Sequence, residues 1–156
     1  MKMNKALLAK CIAVPLLVGG LSAFLTRSGM KTFESLNQPP LSPPGWLFGV
    51  VWTILYTLMG ISSYLVIRSD AGEMKINRAL SVYVYQLIAN FLWPTFFFNF
   101  NWYLFSFVWL IFLWVLVLIM IVRFYHISKA AGLLQIPYLI WLTFAAYLNL
   151  GIWLLN

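Results

Sequence analysis

Charge is what this sequence has least of. Only 8% of its 156 residues are Asp, Glu, Lys or Arg, and three are acidic, against about a quarter charged in an ordinary soluble domain. Cysteine and histidine are each present once, as Cys11 and His126. One cysteine excludes an internal disulfide and leaves the redox compartment unread. One histidine excludes haem held by two axial histidines of one chain, gives zinc no usual ligand set, and leaves no Ser-His-acid triad to assemble. No long apolar run contains Asp, Glu or Arg, so an intramembrane proton relay has no carrier groups. A repeat of 20 to 50 residues is also missing, and with it the inverted halves common in secondary transporters. The net charge of +7 comes from residues scattered at the ends of apolar segments, not from a basic stripe with interleaved aromatics, so nucleic acid is not an expected partner.

What the chain has is length without charge. Residues 45–67 hold 23 uncharged residues, enough at about 1.5 Å per residue to cross a hydrocarbon core of about 30 Å. Residues 79–122 hold 44, too many for one span and enough for two with a turn at Asn99-Phe100-Asn101-Trp102. The N-terminus starts like a signal peptide, with Lys2 and Lys5 before an apolar run. That run continues to Thr26 without a small-x-small cleavage site, so it reads as a span with Lys10 snorkelling to the near interface. The expected fold is an all-α integral membrane protein, a five-transmembrane-helix bundle in one domain over 1–156. Its spans are expected at about 5–26, 45–67, 78–98, 102–124 and 131–155.

The longest connection, 27–44, carries the run Asn37-Gln38-Pro39-Pro40-Leu41-Ser42-Pro43-Pro44; it reads either as a polyproline linker or, in preference, as a lid over the core, with a short helical turn at Thr32 to Leu36. Five spans put Lys2, Lys5, Lys10, Arg68, Lys75, Arg78, Arg123 and Lys129 on one side and only Arg27 and Lys31 on the other. The positive-inside rule then gives a cytoplasmic N-terminus, with the C-terminus and loop 27–44 external.

The few polar side chains within spans are the informative ones, because Asn and Gln in hydrocarbon need partners and turn to the bundle interior, either simply to bond helix to helix or to line a site. Gln86 and Asn90 lie four apart and lead to Trp93, with Pro94 following; Asn149 lies on the last span. Trp52 and Tyr56 share a face of the second span, and Trp141, Phe144, Ala145 and Leu148 follow helical spacing on the fifth, where the small Ala145 leaves a gap. An aromatic stripe of this kind is more often packed core than pocket. Read without further comparison, the residues describe an aromatic, hydrogen-bonding cavity for a flat apolar ligand.

The same residues resemble the translocator protein family (TspO), also called tryptophan-rich sensory proteins or peripheral benzodiazepine receptors. The matching pieces are Pro43-Pro44 with Trp46, Gly49, Trp52, Leu55-Tyr56 and Met59-Gly60. Tyr85-Gln86-Leu87 with Asn90, Trp93 and Phe96-Phe97 follows, then Pro137-Tyr138-Leu139 with Trp141-Leu142, Phe144-Ala145 and Leu148-Asn149. The resemblance implies a bacterial plasma-membrane protein, commonly a homodimer in the lipid bilayer. Its cavity would bind porphyrins such as protoporphyrin IX and benzodiazepine-type ligands through Trp52, Tyr56, Gln86, Asn90, Trp93, Trp141, Phe144, Ala145 and Leu148. No intrinsic cofactor or metal is implied; a porphyrin would be ligand or substrate. Light-dependent porphyrin breakdown, associated with bacterial members, would fall to Trp52 and Trp141, and carriage of tetrapyrroles across the membrane is the alternative to binding. Leu41 and Thr32 stand where the family often has tryptophan, and nothing basic follows Tyr147 where animal members have a sterol motif. Loop contacts and sterol transport are therefore not carried over.

Overall fold

The computed structural model describes residues 2–156, and its regular elements are all helical: α1 (Lys5–Leu25), α2 (Arg27–Phe33), α3 (Gly45–Ile67), α4 (Glu73–Pro94), α5 (Tyr103–Ile127), α6 (Lys129–Leu133) and α7 (Ile136–Leu155). Local chemistry sets most of the boundaries. Asn4 caps α1, its Oδ1 accepting from the Leu7 N–H at 3.1 Å. Pro44, extended at φ −63° and ψ 149°, leads into α3. Pro94, which brings no N–H to the ladder, ends α4, and the chain widens into a π-helical turn at Thr95–Asn99. Asn101 then takes the left-handed conformation, φ 57°, that asparagine tolerates better than most residues, and α5 begins two residues later. Ser128 caps α6 by accepting from the Ala131 N–H at 3.3 Å.

Several bounds differ from those the sequence leads one to expect. Helix α4 starts at Glu73, not near 78, because Lys75 and Arg78 sit in its first two turns. The expected last span at 131–155 is broken at Leu134-Gln135 into α6 and α7. The short helix after α1 is Arg27–Phe33 and ends where the expected turn at Thr32–Leu36 begins. Among the described residues, four segments are long and apolar enough to cross a membrane: Lys5–Leu25, Gly45–Ile67, Tyr103–Ile127 and Lys129–Leu155. The expected count of five is not met by composition, since α4 carries Glu73, Lys75, Asn77 and Arg78 ahead of Gln86 and Asn90.

The long helices alternate in direction. At one end the Asn4 N–H donates to Tyr64 Oη at 2.9 Å, Arg68 Nη2 to the Lys2 carbonyl at 2.7 Å, and Arg123 Nη1 to the Arg78 carbonyl at 3.1 Å. These bonds gather the start of α1, the end of α3, the start of α4 and the end of α5. At the other end Asn99 Nδ2 donates to the Leu25 carbonyl at 3.1 Å and Asn149 Nδ2 to the Tyr103 carbonyl at 2.8 Å. Lys2, Arg68, Arg78 and Arg123 thus lie at one end of the bundle, called here the basic end.

Packing is closest between α1 and α3, where glycine is required. A Cβ on Gly60 would lie 2.7 Å from the Cys11 carbonyl oxygen and 2.8 Å from the Ile12 nitrogen, and one on Gly19 would overlap the Tyr56 ring. Helix α5 is central, packed on α4, α6 and α7. Helices α3 and α7 barely touch through their backbones. Aromatic side chains bridge them, and that gap holds the candidate site.

Candidate functional site

Helix α3 turns Trp52 and Tyr56 toward the gap one helical turn apart, their rings stacked at 5.4 Å between centroids and 27° between planes. From α7, Tyr138 meets Trp52 edge-on at 6.1 Å, and Trp141 meets Phe48 edge-on at 5.8 Å. These are the offset and T-shaped geometries aromatic quadrupoles favour. Trp52 and Trp141 are half-buried, whereas Tyr56 and Tyr138 are buried. Trp141 continues into Phe144 at 5.5 Å and Phe144 into Tyr147 at 6.1 Å, an aromatic wall running up α7.

Beneath the rings lies a continuous chain of hydrogen bonds. Tyr56 Oη donates to Asn90 Oδ1 at 2.8 Å, Asn90 Nδ2 donates to Tyr138 Oη at 2.7 Å, and Tyr138 Oη donates to Gln86 Oε1 at 2.8 Å. Gln86 Nε2 ends the chain on Met59 Sδ at 3.8 Å. Every member is buried, and in a low-dielectric interior such a satisfied network fixes one relative register of α3, α4 and α7. The Trp141 indole N–H, also buried, has no partner among the described residues.

The loop from Asn37 to Pro40 is strapped over the upper part of α7. Tyr147 Oη donates to the Pro40 carbonyl at 2.6 Å, and Asn156 exchanges bonds with the Asn37 backbone at 3.2 and 2.8 Å. Pro39 is buried against Gly151, where a Cβ would come 2.6 Å from the proline ring. Leu41 projects from this loop, 82% exposed and at φ 69°, so it contacts nothing in the site.

Of the nine expected residues, Trp52, Tyr56, Asn90 and Gln86 are joined through one another and Tyr138, whereas Trp141 meets α3 only through Phe48. Phe144 extends the wall, while Ala145 and the buried Leu148 pack behind it. Trp93 goes elsewhere: it stacks on Phe97 at 5.0 Å and its Nε1 donates to Asn149 Oδ1 at 3.1 Å, bracing α4 to α7 near the loop end. Two residues were not expected. Tyr138 is the hub of the polar chain, and Phe48 closes the gap against Trp141. Spacing held the signal for both, since Tyr138 lies three residues before Trp141 and Phe48 four before Trp52. His126, on the last turn of α5, is exposed and remote from this set. Two shallow clefts of about 390 and 370 Å³ lie on the outer surface of α4 around Asn77 and Ser81 and belong to a different face.

The model of the TspO/MBR family matches residues 11–154. The chain belongs to the TspO/MBR family. It is 39% identical over 155 residues to the tryptophan-rich protein TspO of Archaeoglobus fulgidus and 36% identical over 157 residues to that of Chlorobaculum tepidum, in both cases covering 99% of each chain. To the human translocator protein it is 35% identical over 133 residues, 85% of this chain and 79% of that one. TspO/MBR membership and its apolar helices make it a multi-pass membrane protein. The whole aromatic and polar constellation, from Phe48 to Leu148, falls inside the matched region.

Proposed function

We propose that the chain is a five-span membrane receptor that binds one planar tetrapyrrole, such as protoporphyrin IX, or a benzodiazepine-type ligand, between α3 and α7. The observation that carries this reading is the pair Trp52 and Trp141, facing one gap from helices that scarcely pack on each other. A flat ring entering there exchanges edge contacts among side chains for stacking on two indoles, worth about 0.5–1.5 kcal/mol per aromatic pair beyond area burial. The unpartnered Trp141 N–H offers a donor to a ligand carbonyl or carboxylate, and the Tyr56-Asn90-Tyr138-Gln86 chain makes a rigid floor. The strapped loop at 37–40 closes the external side.

Helix α4 is the fifth span on this reading. Its 22 residues extend about 33 Å at 1.5 Å per residue, its charges are confined to the first two turns, and Gln86 and Asn90 spend their polarity inside the bundle. The basic end faces the cytoplasm by the positive-inside rule.

Titrating protoporphyrin IX against intrinsic tryptophan fluorescence tests the assignment. Saturation near one ligand per subunit is expected, with affinity falling at least tenfold in the Trp52→Ala, Trp141→Ala double variant. Unchanged affinity in that variant would remove the ligand from this gap. Vesicle flux that is proportional to protein and saturable in porphyrin would instead make the protein a carrier.

A further inference from the structure

One face of α4 is left uncovered by the bundle. Asn77, Arg78, Ser81, Val84, Tyr85 and Ile88 recur at helical spacing and are all exposed, while α5, α1 and α3 pack elsewhere on the helix. Two clefts run along this face. The one nearer the basic end, about 390 Å³, is lined by Glu73, Met74, Asn77, Arg78 and Ser81; the next, about 370 Å³, by Asn77, Leu80, Ser81, Val84 and Tyr85. They share Asn77 and Ser81, so together they make one groove whose lining changes from charged to apolar along the helix. Ser81 Oγ donates to the Asn77 carbonyl at 2.7 Å, which leaves the hydroxyl oxygen able to accept. Arg123 Nη1 donates to the Arg78 carbonyl at 3.1 Å and so brings a second guanidinium to the edge of the groove.

The lining follows the layers of a phospholipid. Glu73 to Arg78 rises about 7.5 Å at 1.5 Å per residue, and the headgroup layer on each side of the hydrocarbon is about 5–7.5 Å thick. Ser81 stands about 4.5 Å deeper, at the level of the glycerol esters, and Val84, Tyr85 and Ile88 continue into the hydrocarbon, where an acyl chain lies. Charge selects the head: two guanidiniums against one carboxylate favour an anion, and arginine takes phosphate oxygens through paired N–H groups. The Glu73 carboxylate accepts hydroxyl groups and repels a second phosphate. We infer that this groove on α4 binds an anionic phospholipid with a hydroxylated head, phosphatidylglycerol, its phosphate on Arg78 beside Arg123 and its glycerol hydroxyls donating to Glu73. Basic recesses at the headgroup level of membrane helices recognise anionic lipid heads in this way, and the apolar continuation of the groove commits the occupant to a lipid over a free phosphate. The site takes only the place of α4 in the bilayer from the proposed function; porphyrin is read in the gap between α3 and α7, so each can fail without the other.

Native mass spectrometry of the full chain, released from nanodiscs holding equal phosphatidylglycerol, phosphatidylethanolamine and phosphatidylcholine, tests the site by the lipid retained per subunit. Retention of phosphatidylglycerol at least fivefold above either other lipid is expected, falling to within twofold of them in Arg78→Gln. Lys129→Gln removes a charge of the same sign from α6, outside the groove, and should keep the preference. No preference in the wild-type chain would overturn the inference, as would an unchanged preference in Arg78→Gln or a preference for phosphatidylethanolamine. An equal fall in Arg78→Gln and Lys129→Gln would reduce the effect to diffuse charge and refute a site. Near-complete disulfide formation between copies of a Cys11→Ala, Ser81→Cys chain in phosphatidylglycerol bilayers would put a second copy on this face and would likewise refute it.

Discussion

Tyr138→Phe removes one oxygen atom from the bundle and is the sharpest probe of what holds α4 against α7. The hydroxyl accepts from Asn90 at 2.7 Å and donates to Gln86 at 2.8 Å, and the ring is 1% exposed, so no bulk water replaces either bond. A buried group stripped of its partner costs about 1–3 kcal/mol in soluble proteins. Interhelical bonds measured within membranes average about 0.6 and reach about 1.7 kcal/mol, because the unfolded reference also finds partners. Two bonds on this second scale give about 1–3 kcal/mol for Tyr138→Phe. Tyr56→Phe loses only the bond to Asn90 Oδ1 and should cost about half as much. Equilibrium unfolding in mixed micelles, followed by helical circular dichroism, reads both. The pair also predicts coupling: adding Gln86→Leu to Tyr138→Phe should cost less than Gln86→Leu alone, because the acceptor it deletes is already orphaned. Equal stabilities of Tyr138→Phe and wild type, or a larger loss in Tyr56→Phe, would refute the hub assignment.

The helix contact between α1 and α3 makes a paired prediction: Gly60→Ala, whose Cβ meets rigid backbone at Cys11 and Ile12, should destabilise by about 1–3 kcal/mol, while Gly20→Ala, with nothing within 4 Å, should be neutral or slightly stabilising in the same assay. The loop strap depends on Pro39 seating against Gly151, so Gly151→Val together with Tyr147→Phe should raise proteolytic cleavage within residues 34–44 several-fold; an unchanged cleavage rate would show the loop held by other contacts. For light chemistry, protein-dependent loss of bound protoporphyrin IX absorbance under illumination should fall several-fold in Trp52→Phe and in Trp141→Phe, which keep most of the stacking area but are harder to oxidise. Normal binding with an unchanged product rate in both variants would make the two tryptophans walls only.

Elements of the fold were legible in proportion to how far they depend on burial in one dimension. A charge-free run of 23 residues has one economical conformation in lipid, and Gly45–Ile67 lies where that argument puts it. Helix α4 is harder, because its charges resemble those of a loop. Glu73, Lys75 and Arg78 lie within helical turns at the bundle edge, where long side chains reach water without breaking the backbone ladder. Likewise α6 and α7 looked continuous because the break at Leu134-Gln135 contains neither glycine nor proline and is held by its surroundings.

The site divides along a different line. Spacing within one helix tells which side chains share a face, so Trp52 with Tyr56 and Gln86 with Asn90 were readable as pairs. It does not tell the register between helices, and the hydrogen bonds are made across that register. Trp93 shows the limit: three residues past Asn90 it is turned about 60° off that residue's direction, and with Asn149 presented by α7 it bonds there instead of joining the aromatic gap. Tyr138 shows the converse. Nothing in its own neighbourhood marks it as more than an interfacial tyrosine, yet α4 offers an amide oxygen and an amide N–H four residues apart, and a single hydroxyl, which both accepts and donates, takes both. The demand for such a group was therefore written in Gln86 and Asn90, and Tyr138 is the residue on α7 that the structure brings to meet it.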